Sequence, residues 1–287
     1  MSVELDDRLA GVRTRALDGV SFSLHQGECV AVLGSNGAGK STLLLAAAGA
    51  LPAVGGRITL DGEPYDGSLR SQRRIRRLVG VALQFPERGF FGRSVREEVT
   101  FVAARAGGPD RRDGARGRQD GRRLEEAAVE ALARVGMPPS YLERSPYELS
   151  GGEKRLVALA AAVAHQPRYL LLDEPEVGLD HRALGRVQDL LRRFAREGGG
   201  ALVVTHDVET ALAWADRFLL LEQGRVAGEL AAGDLARPEA WALLERWLWD
   251  RGRLGRAHAA ARRAGADVPS PYVEPQRCLE WVVARGT

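Results

Sequence analysis

Short, wholly apolar runs alternate with stretches of helical period along most of this chain. Cys29-Val30-Ala31-Val32-Leu33, Tyr169-Leu170-Leu171-Leu172 and Leu202-Val203-Val204 are apolar at every position, the pattern of parallel strands covered on both faces. The Arg-rich segment 183–196 between the last two predicts a helix, and the three pieces together a βαβ unit. Val20–Leu24 predicts a further strand, joined to Cys29–Gly34 by the turn His25-Gln26-Gly27-Glu28. Arg57–Leu60 before Asp61-Gly62, and the runs 217–221 and 225–227 around Glu222-Gln223-Gly224, predict more strands and turns. From Phe85 to Ala164 the pattern turns mainly helical. Leu124, Ala128, Leu132 and Val135 mark one amphipathic face there. Pro238 opens a last helix bearing Trp241, Trp247 and Trp249. The fold class predicted is α/β, with a mainly parallel core sheet, an antiparallel β subdomain, a helical subdomain over about 85–165 and a helical C-terminal extension.

Composition sharpens this picture. Residues 105–123 are rich in Gly, Arg and Asp with almost no large apolar side chain, which predicts a mobile loop inside the helical subdomain. The chain has 287 residues, 45% of them hydrophobic, enough for one large core or two modest ones. Its 41 basic and 38 acidic residues leave a formal charge of +3, too little to imply a nucleic-acid partner. Cys29 and Cys278 lie too far apart in sequence for a metal-binding spacing, and a reducing cytosol fits them. The acidic start Met1–Asp7 has no apolar core of a secretory signal. The longest apolar stretch, 43–51, is far short of the ~20 residues that span a bilayer. Any membrane role therefore needs a partner to supply the membrane.

The chemistry begins at the end of the Cys29–Leu33 run. Gly34-Ser35-Asn36-Gly37-Ala38-Gly39-Lys40-Ser41-Thr42 matches the phosphate-cradling pattern G-x-x-x-x-G-K-[ST], placed between a strand and a helix. Its glycines let backbone N–H groups close around phosphates, Lys40 reaches the β and γ oxygens, and Ser41 holds Mg²⁺. Only Lys40 and Lys154 are lysines in a chain that otherwise uses arginine. This site predicts binding of a nucleoside triphosphate with Mg²⁺.

Five further places narrow the class. Asp173-Glu174 ends a buried strand, where Asp173 supports Mg²⁺ and Glu174 polarises an attacking water. Leu149-Ser150-Gly151-Gly152-Glu153 opens a long apolar helix, with free N–H groups and a hydroxyl suited to a γ-phosphate. Gln84, Asp180 in Val177-Gly178-Leu179-Asp180, and His206 after a strand complete the set. In this order and spacing the chain, over about 12–227, resembles ATP-binding-cassette ATPases. The resemblance implies a P-loop fold and a head-to-tail dimer with two ATP molecules shared between subunits. It implies that Ser35–Thr42 bind phosphate, that Ser41, Gln84 and Asp173 serve Mg²⁺, and that Ser150, Gly151 and Gly152 close on the γ-phosphate from the other subunit. Glu174 is then the general base, His206 the γ-phosphate sensor, Gln84 the link from Mg²⁺ and water to a membrane partner, and Asp180 a contact across the dimer. Two departures stand out. No aromatic occurs between Leu5 and Arg15 to stack on adenine, leaving Leu9, Val12 or an arginine as covers, and Glu176 replaces the threonine usual after Asp-Glu-Pro.

The segment Val79–Phe91 with Ser94–Val99 looks most like the ATPases of energy-coupling-factor importers and their cobalt-type relatives, and 258–284 is similar to their C-terminal extension. The resemblance implies an ATPase domain over 1–229 and an extension over 230–287 that serves dimerisation. The implied partners are a second ATPase subunit, identical or similar, a membrane-embedded coupling subunit and a substrate-binding membrane subunit, at the cytoplasmic face of the membrane. The solute would be a vitamin or a transition-metal ion such as cobalt or nickel. Phe85, Phe90 and Phe91 read either as part of the docking groove or as core. The ATPase of another transporter class, and a soluble cassette ATPase acting on nucleic acid or ribosomes, are the alternatives. A single phosphate loop and the lack of a sustained heptad between Lys40 and Ser150 speak against the soluble classes. Glu174 speaks against a module that binds ATP without hydrolysing it.

Overall fold

The computed structural model describes residues 3–7, 12–51, 55–86, 89–107 and 117–236. In chain order the elements are β1 (Val3–Asp7), β2 (Val12–Leu17), β3 (Cys29–Leu33), α1 (Lys40–Ala47), β4 (Ile58–Leu60), β5 (Glu63–Tyr65), α2 (Leu69–Leu78), β6 (Val79–Ala82), α3 (Val95–Gly107) and α4 (Gly117–Arg134). They continue as α5 (Gly151–Val163), β7 (Tyr169–Asp173), α6 (His181–Arg196), β8 (Gly200–Val204), α7 (Val208–Ala211), β9 (Arg217–Glu222) and β10 (Arg225–Ala231). One six-stranded sheet has the order β10-β9-β3-β8-β7-β6, parallel throughout except for β10 at its edge. Two antiparallel hairpins, β1–β2 and β4–β5, stand beside it.

The all-apolar strands explain the layering. Successive side chains of a strand point to opposite faces, so each buried run feeds two cores. Cys29, Ala31, Leu33, Leu170, Leu172, Ala201 and Val203 face α3–α6, where Leu132, Leu156, Leu159, Leu190 and Phe194 meet them. Val30, Val32, Leu171, Leu202 and Val204 face α1 and the β4–β5 hairpin, against Leu43, Leu44 and Ile75. The face expected from Leu124, Ala128, Leu132 and Val135 is inward along α4 and the turn that follows it, with the last three buried and Leu124 packed against the same core.

Two expectations change. Val20–Leu24 forms no strand. Its apolar positions Val20, Phe22 and Leu24 pack on the α1 side of the core, while the Ser23 carbonyl accepts the Arg217 Nη2 hydrogen at 2.6 Å instead of a ladder N–H. Helix also takes both ends of the stretch expected as a loop over 105–123. Arg105–Gly107 end α3 and Gly117–Arg123 open α4, where arginine and glutamine are good helix formers; residues 108–116 lie outside the described residues. The helix expected from Pro238, Cys278 and nearly all of the 230–287 extension, together with the side chains of 5–15 weighed for adenine, also lie outside them.

Candidate functional site

The phosphate loop leaves the carboxyl end of β3 and turns into α1 through Gly39. Its φ is +98°, and a Cβ there would come within 2.6 Å of the Ala16 carbonyl oxygen, so only glycine fits. No side chain caps the helix that follows. A helix opening whose N-cap offers no side-chain acceptor is the arrangement that anion sites use. Ser35, Asn36 and Gly37 form an exposed crest. Lys40 is 7% exposed, and its Nζ donates to the carbonyls of Gly34 at 2.9 Å and Ser35 at 3.0 Å. The loop thus holds its own cation in place with neutral acceptors. Ser41 is exposed at the start of α1 and Thr42 half-buried.

Three neighbouring parallel strands bring the remaining groups to the same end of the sheet. Asp173 in β7 pairs with Val204 in β8, and Val204 with Val32 in β3, so the strands end level, where ligands of open α/β sheets bind. Asp173 is 6% exposed. Burial pushes its carboxyl up from the usual range, the Ser41 hydroxyl hydrogen bond pulls it down, Glu174 pushes it up and Lys40 pulls it down. Asp173 and Ser41 are thus direct neighbours beside the loop lysine. Glu174 follows with φ +47°, a left-handed conformation that costs a non-glycine residue of order 1–3 kcal/mol. Its N–H donates to the Val204 carbonyl at 2.9 Å. Gln84, beyond β6, donates from Nε2 to Glu174 Oε2 at 2.5 Å. His206, beyond β8, has Nδ1 3.3 Å from Glu174 Oε1.

Other predicted residues have local duties. Ser150 and Glu153 form a reciprocal capping box at the start of α5, and the Tyr141 hydroxyl donates to Glu153 at 2.6 Å. Gly151 is exposed, with open space where a Cβ would be. Gly152 lies 3.6 Å, measured from such a Cβ, from Leu179 Cδ2. Asp180 caps α6 by accepting the Ala183 N–H at 2.7 Å. The fold therefore gathers Gln84, Glu174 and His206 into one hydrogen-bonded set and Asp173 beside Ser41. Ser150, Gly151, Gly152 and Asp180 stand at the openings of their own helices.

A groove of about 510 Å³ runs from Ser41, Gln84 and Asp173 to Phe85, Phe90 and Val102. Phe85 is 44% exposed. Phe90 is half-buried against the core. Phe91 is absent from the groove wall and packs its edge on Phe101, with ring centroids 4.1 Å apart. The three aromatics thus divide between groove and packing. Two structural residues escaped the sequence reading. Arg155 Nη1 donates to the Gln84 carbonyl at 3.0 Å and the Glu174 carbonyl at 3.4 Å, tying α5 to both. The buried Glu98 carboxylate accepts the N–H groups of Phe91 at 3.1 Å and Gly92 at 3.0 Å. A charged residue on a helical face that is otherwise apolar was the available signal for Glu98; Arg155 had none.

Comparison with known proteins gives this geometry a family context. The family described as "ABC transporter" matches residues 17–177. The energy-coupling factor transporter ATP-binding protein EcfA2 of Symbiobacterium thermophilum is 36% identical over 281 residues, covering 89% of this chain and 93% of the relative. The solved structure of cbiO1 from Clostridium perfringens, described as part of the ABC transporter complex cbiONQ, is 27% identical with a TM-score of 0.68, over 90% of this chain and 96% of that one. A dimeric ATP-binding cassette in a post-hydrolysis state bound to ADP and Pi shares the fold at 23% identity and a TM-score of 0.69, over 80% of this chain and 96% of that one.

Proposed function

The chain belongs to the ABC transporter family as an ATP-hydrolysing subunit, and from that premise we propose that it drives an energy-coupling-factor-type importer of a vitamin or a transition-metal ion such as cobalt or nickel. The observation that carries this reading is the continuity of the site. One groove joins Ser41, Gln84 and Asp173 to the exposed Phe85, so a helix seated on the aromatics would touch the residue that orients Glu174. The names of the relatives support the importer class.

In this reading Ser35–Thr42 and Lys40 bind the phosphates of ATP, by backbone N–H groups and one fixed positive charge. Ser41, Gln84 and Asp173 offer a hydroxyl, an amide oxygen and a carboxylate, hard oxygen donors suited to Mg²⁺. Bound there, Mg²⁺ would supply charge neutralisation at the β and γ oxygens. Glu174 accepts the proton of the attacking water, while Gln84 and His206 hold its two oxygens. In a head-to-tail pair with a second ATPase subunit, Ser150, Gly151 and Gly152 of one copy close on the γ-phosphate held by the other, and Asp180 stands at the same seam. The ATPase domain spans 1–229 and the 230–287 extension serves dimerisation. Among the described residues no helix is long and apolar enough to cross a membrane. In this reading a membrane-embedded coupling subunit and a substrate-binding subunit anchor the chain at the cytoplasmic face. Affinity purification in mild detergent tests this. The expected result is co-purification of both membrane subunits; recovery with neither would contradict it.

A further inference from the structure

The residue that departs from the family pattern is tied into the catalytic corner. Glu176 is half-buried two positions after Glu174, and its Oε1 accepts the hydrogen of the Thr205 hydroxyl. Thr205 is 1% exposed, and its Oγ1 in turn accepts the Asp207 N–H at 3.0 Å. The Thr205 N–H donates to the Val32 carbonyl at 3.1 Å. The residues on both sides of His206 are therefore joined through one hydroxyl to the turn after β7. That same turn carries Glu174, whose Oε1 is 3.3 Å from His206 Nδ1. The Glu176 carbonyl also accepts the Leu179 N–H at 3.2 Å, which braces the turn toward Asp180.

We infer that Glu176 is a positioning residue for hydrolysis: through Thr205 it fixes the distance between the His206 ring and the Glu174 carboxylate. A buried hydroxyl stripped of its acceptor is left with an unmet desolvation cost, and the turn would relax to recover a partner. The shift would fall on His206, which projects from between the two tethered residues. Burial pushes the Glu176 carboxyl up from its usual range, the Thr205 bond pulling it back. The phosphate loop lies on β3 and α1 and does not share the tether, so nucleotide affinity should not depend on it.

The inference rests on the roles proposed for Glu174 and His206, which Glu174→Gln tests separately by removing turnover whatever Glu176 does. The test is steady-state ATP hydrolysis and ATP affinity of the purified full-length chain carrying Glu176→Leu, which keeps bulk and removes the acceptor, and Glu176→Gln, which keeps the acceptor. The Leu variant should lose roughly 10- to 100-fold in kcat, the range of a small misplacement at a catalytic centre, with KM within about twofold because ground-state binding is untouched. Gln should restore kcat to within about threefold, since an amide oxygen also accepts from Thr205. In a His206→Ala background the Leu substitution should cost nothing further, because residues acting through one group are non-additive. A Leu variant with unchanged kcat, a Gln variant as slow as Leu, or an equal loss in both backgrounds would each overturn the proposal. If the Leu variant does not fold by thermal melting, Thr205→Val breaks the same bond from its other end and must give the same kcat loss with the same dependence on His206.

Discussion

Gln84 and Glu174, 90 positions apart in the chain, meet as donor and acceptor with Nε2 2.5 Å from Oε2. The contact joins the strand end that lines the aromatic groove to the carboxylate that follows Asp173, the neighbour of Ser41. Glu174 reaches it from a backbone conformation with φ +47°, and conformational strain of that kind persists only where the surroundings hold it. Here Gln84, His206 and the backbone bond to Val204 do so.

Gln84→Ala should therefore disorder the base without harming the nucleotide cradle. We expect kcat for ATP to fall by roughly 10- to 100-fold, the cost of a misplaced catalytic group, while ATP affinity in equilibrium titration without Mg²⁺ stays within about threefold. A mutant with full turnover would separate Gln84 from the orientation of Glu174.

Lys40→Ala should act on binding itself. A charge-assisted contact to phosphate contributes about 1.5–3 kcal/mol, so ATP affinity measured by calorimetry should weaken by about 10- to 100-fold. Equal affinity in the mutant would contradict the cradle.

The groove prediction uses Phe85, because Phe90 is partly packed in the core and Phe91 leans on Phe101. Phe85→Ser, at a residue 44% exposed, should leave the melting temperature within a few degrees and ATP affinity unchanged. Association with the membrane fraction should fall severalfold. Unchanged membrane recovery would show that the aromatic end of the groove is not the contact.

Burial, with the nearby Asp216 and Glu28 charges, pushes the Cys29 thiol up to about 12. The unfolded chain releases that proton near the reference value of about 8.5 and the folded one only near 12. The contribution of Cys29 to stability is thus complete below pH 8 and is lost as pH rises toward 12. In a Cys278→Ser background Cys29 should resist alkylation at pH 8 until the protein unfolds. Its melting temperature should also fall more steeply above pH 9 than that of a Cys29→Ala variant. Rapid labelling of the folded protein would place the thiol elsewhere.

What the sequence revealed and what it hid follow from range. Gly34–Thr42 is one contiguous loop, and the α4 face repeats every turn, so both are written locally. The apolar runs of β3, β7 and β8 announced a parallel sheet because both faces are buried. Val20–Leu24 has the same local pattern as a strand, but a strand also needs a partner, and there Arg217 takes the carbonyl of Ser23. Gln84, Glu174 and His206 could be singled out as residues; that they share one carboxylate depends on three strands ending level. The Glu176–Thr205 bond spans 29 positions and leaves no periodic trace. Ser150 was legible as a helix opening and Asp180 was not, and capping is the duty the fold gives both within the single chain.

The most direct measurement is the rate of ATP hydrolysis by Glu174→Gln beside its affinity for ATP, in the purified chain or its membrane complex. The amide keeps the size of the side chain and loses the proton-accepting oxygen. The account predicts that Mg²⁺-dependent turnover disappears, that ATP still binds with near-normal affinity, and that ATP-bound dimers accumulate. Steady turnover close to that of the unaltered protein would contradict the role of Glu174 as the base and with it the mechanism built on this site.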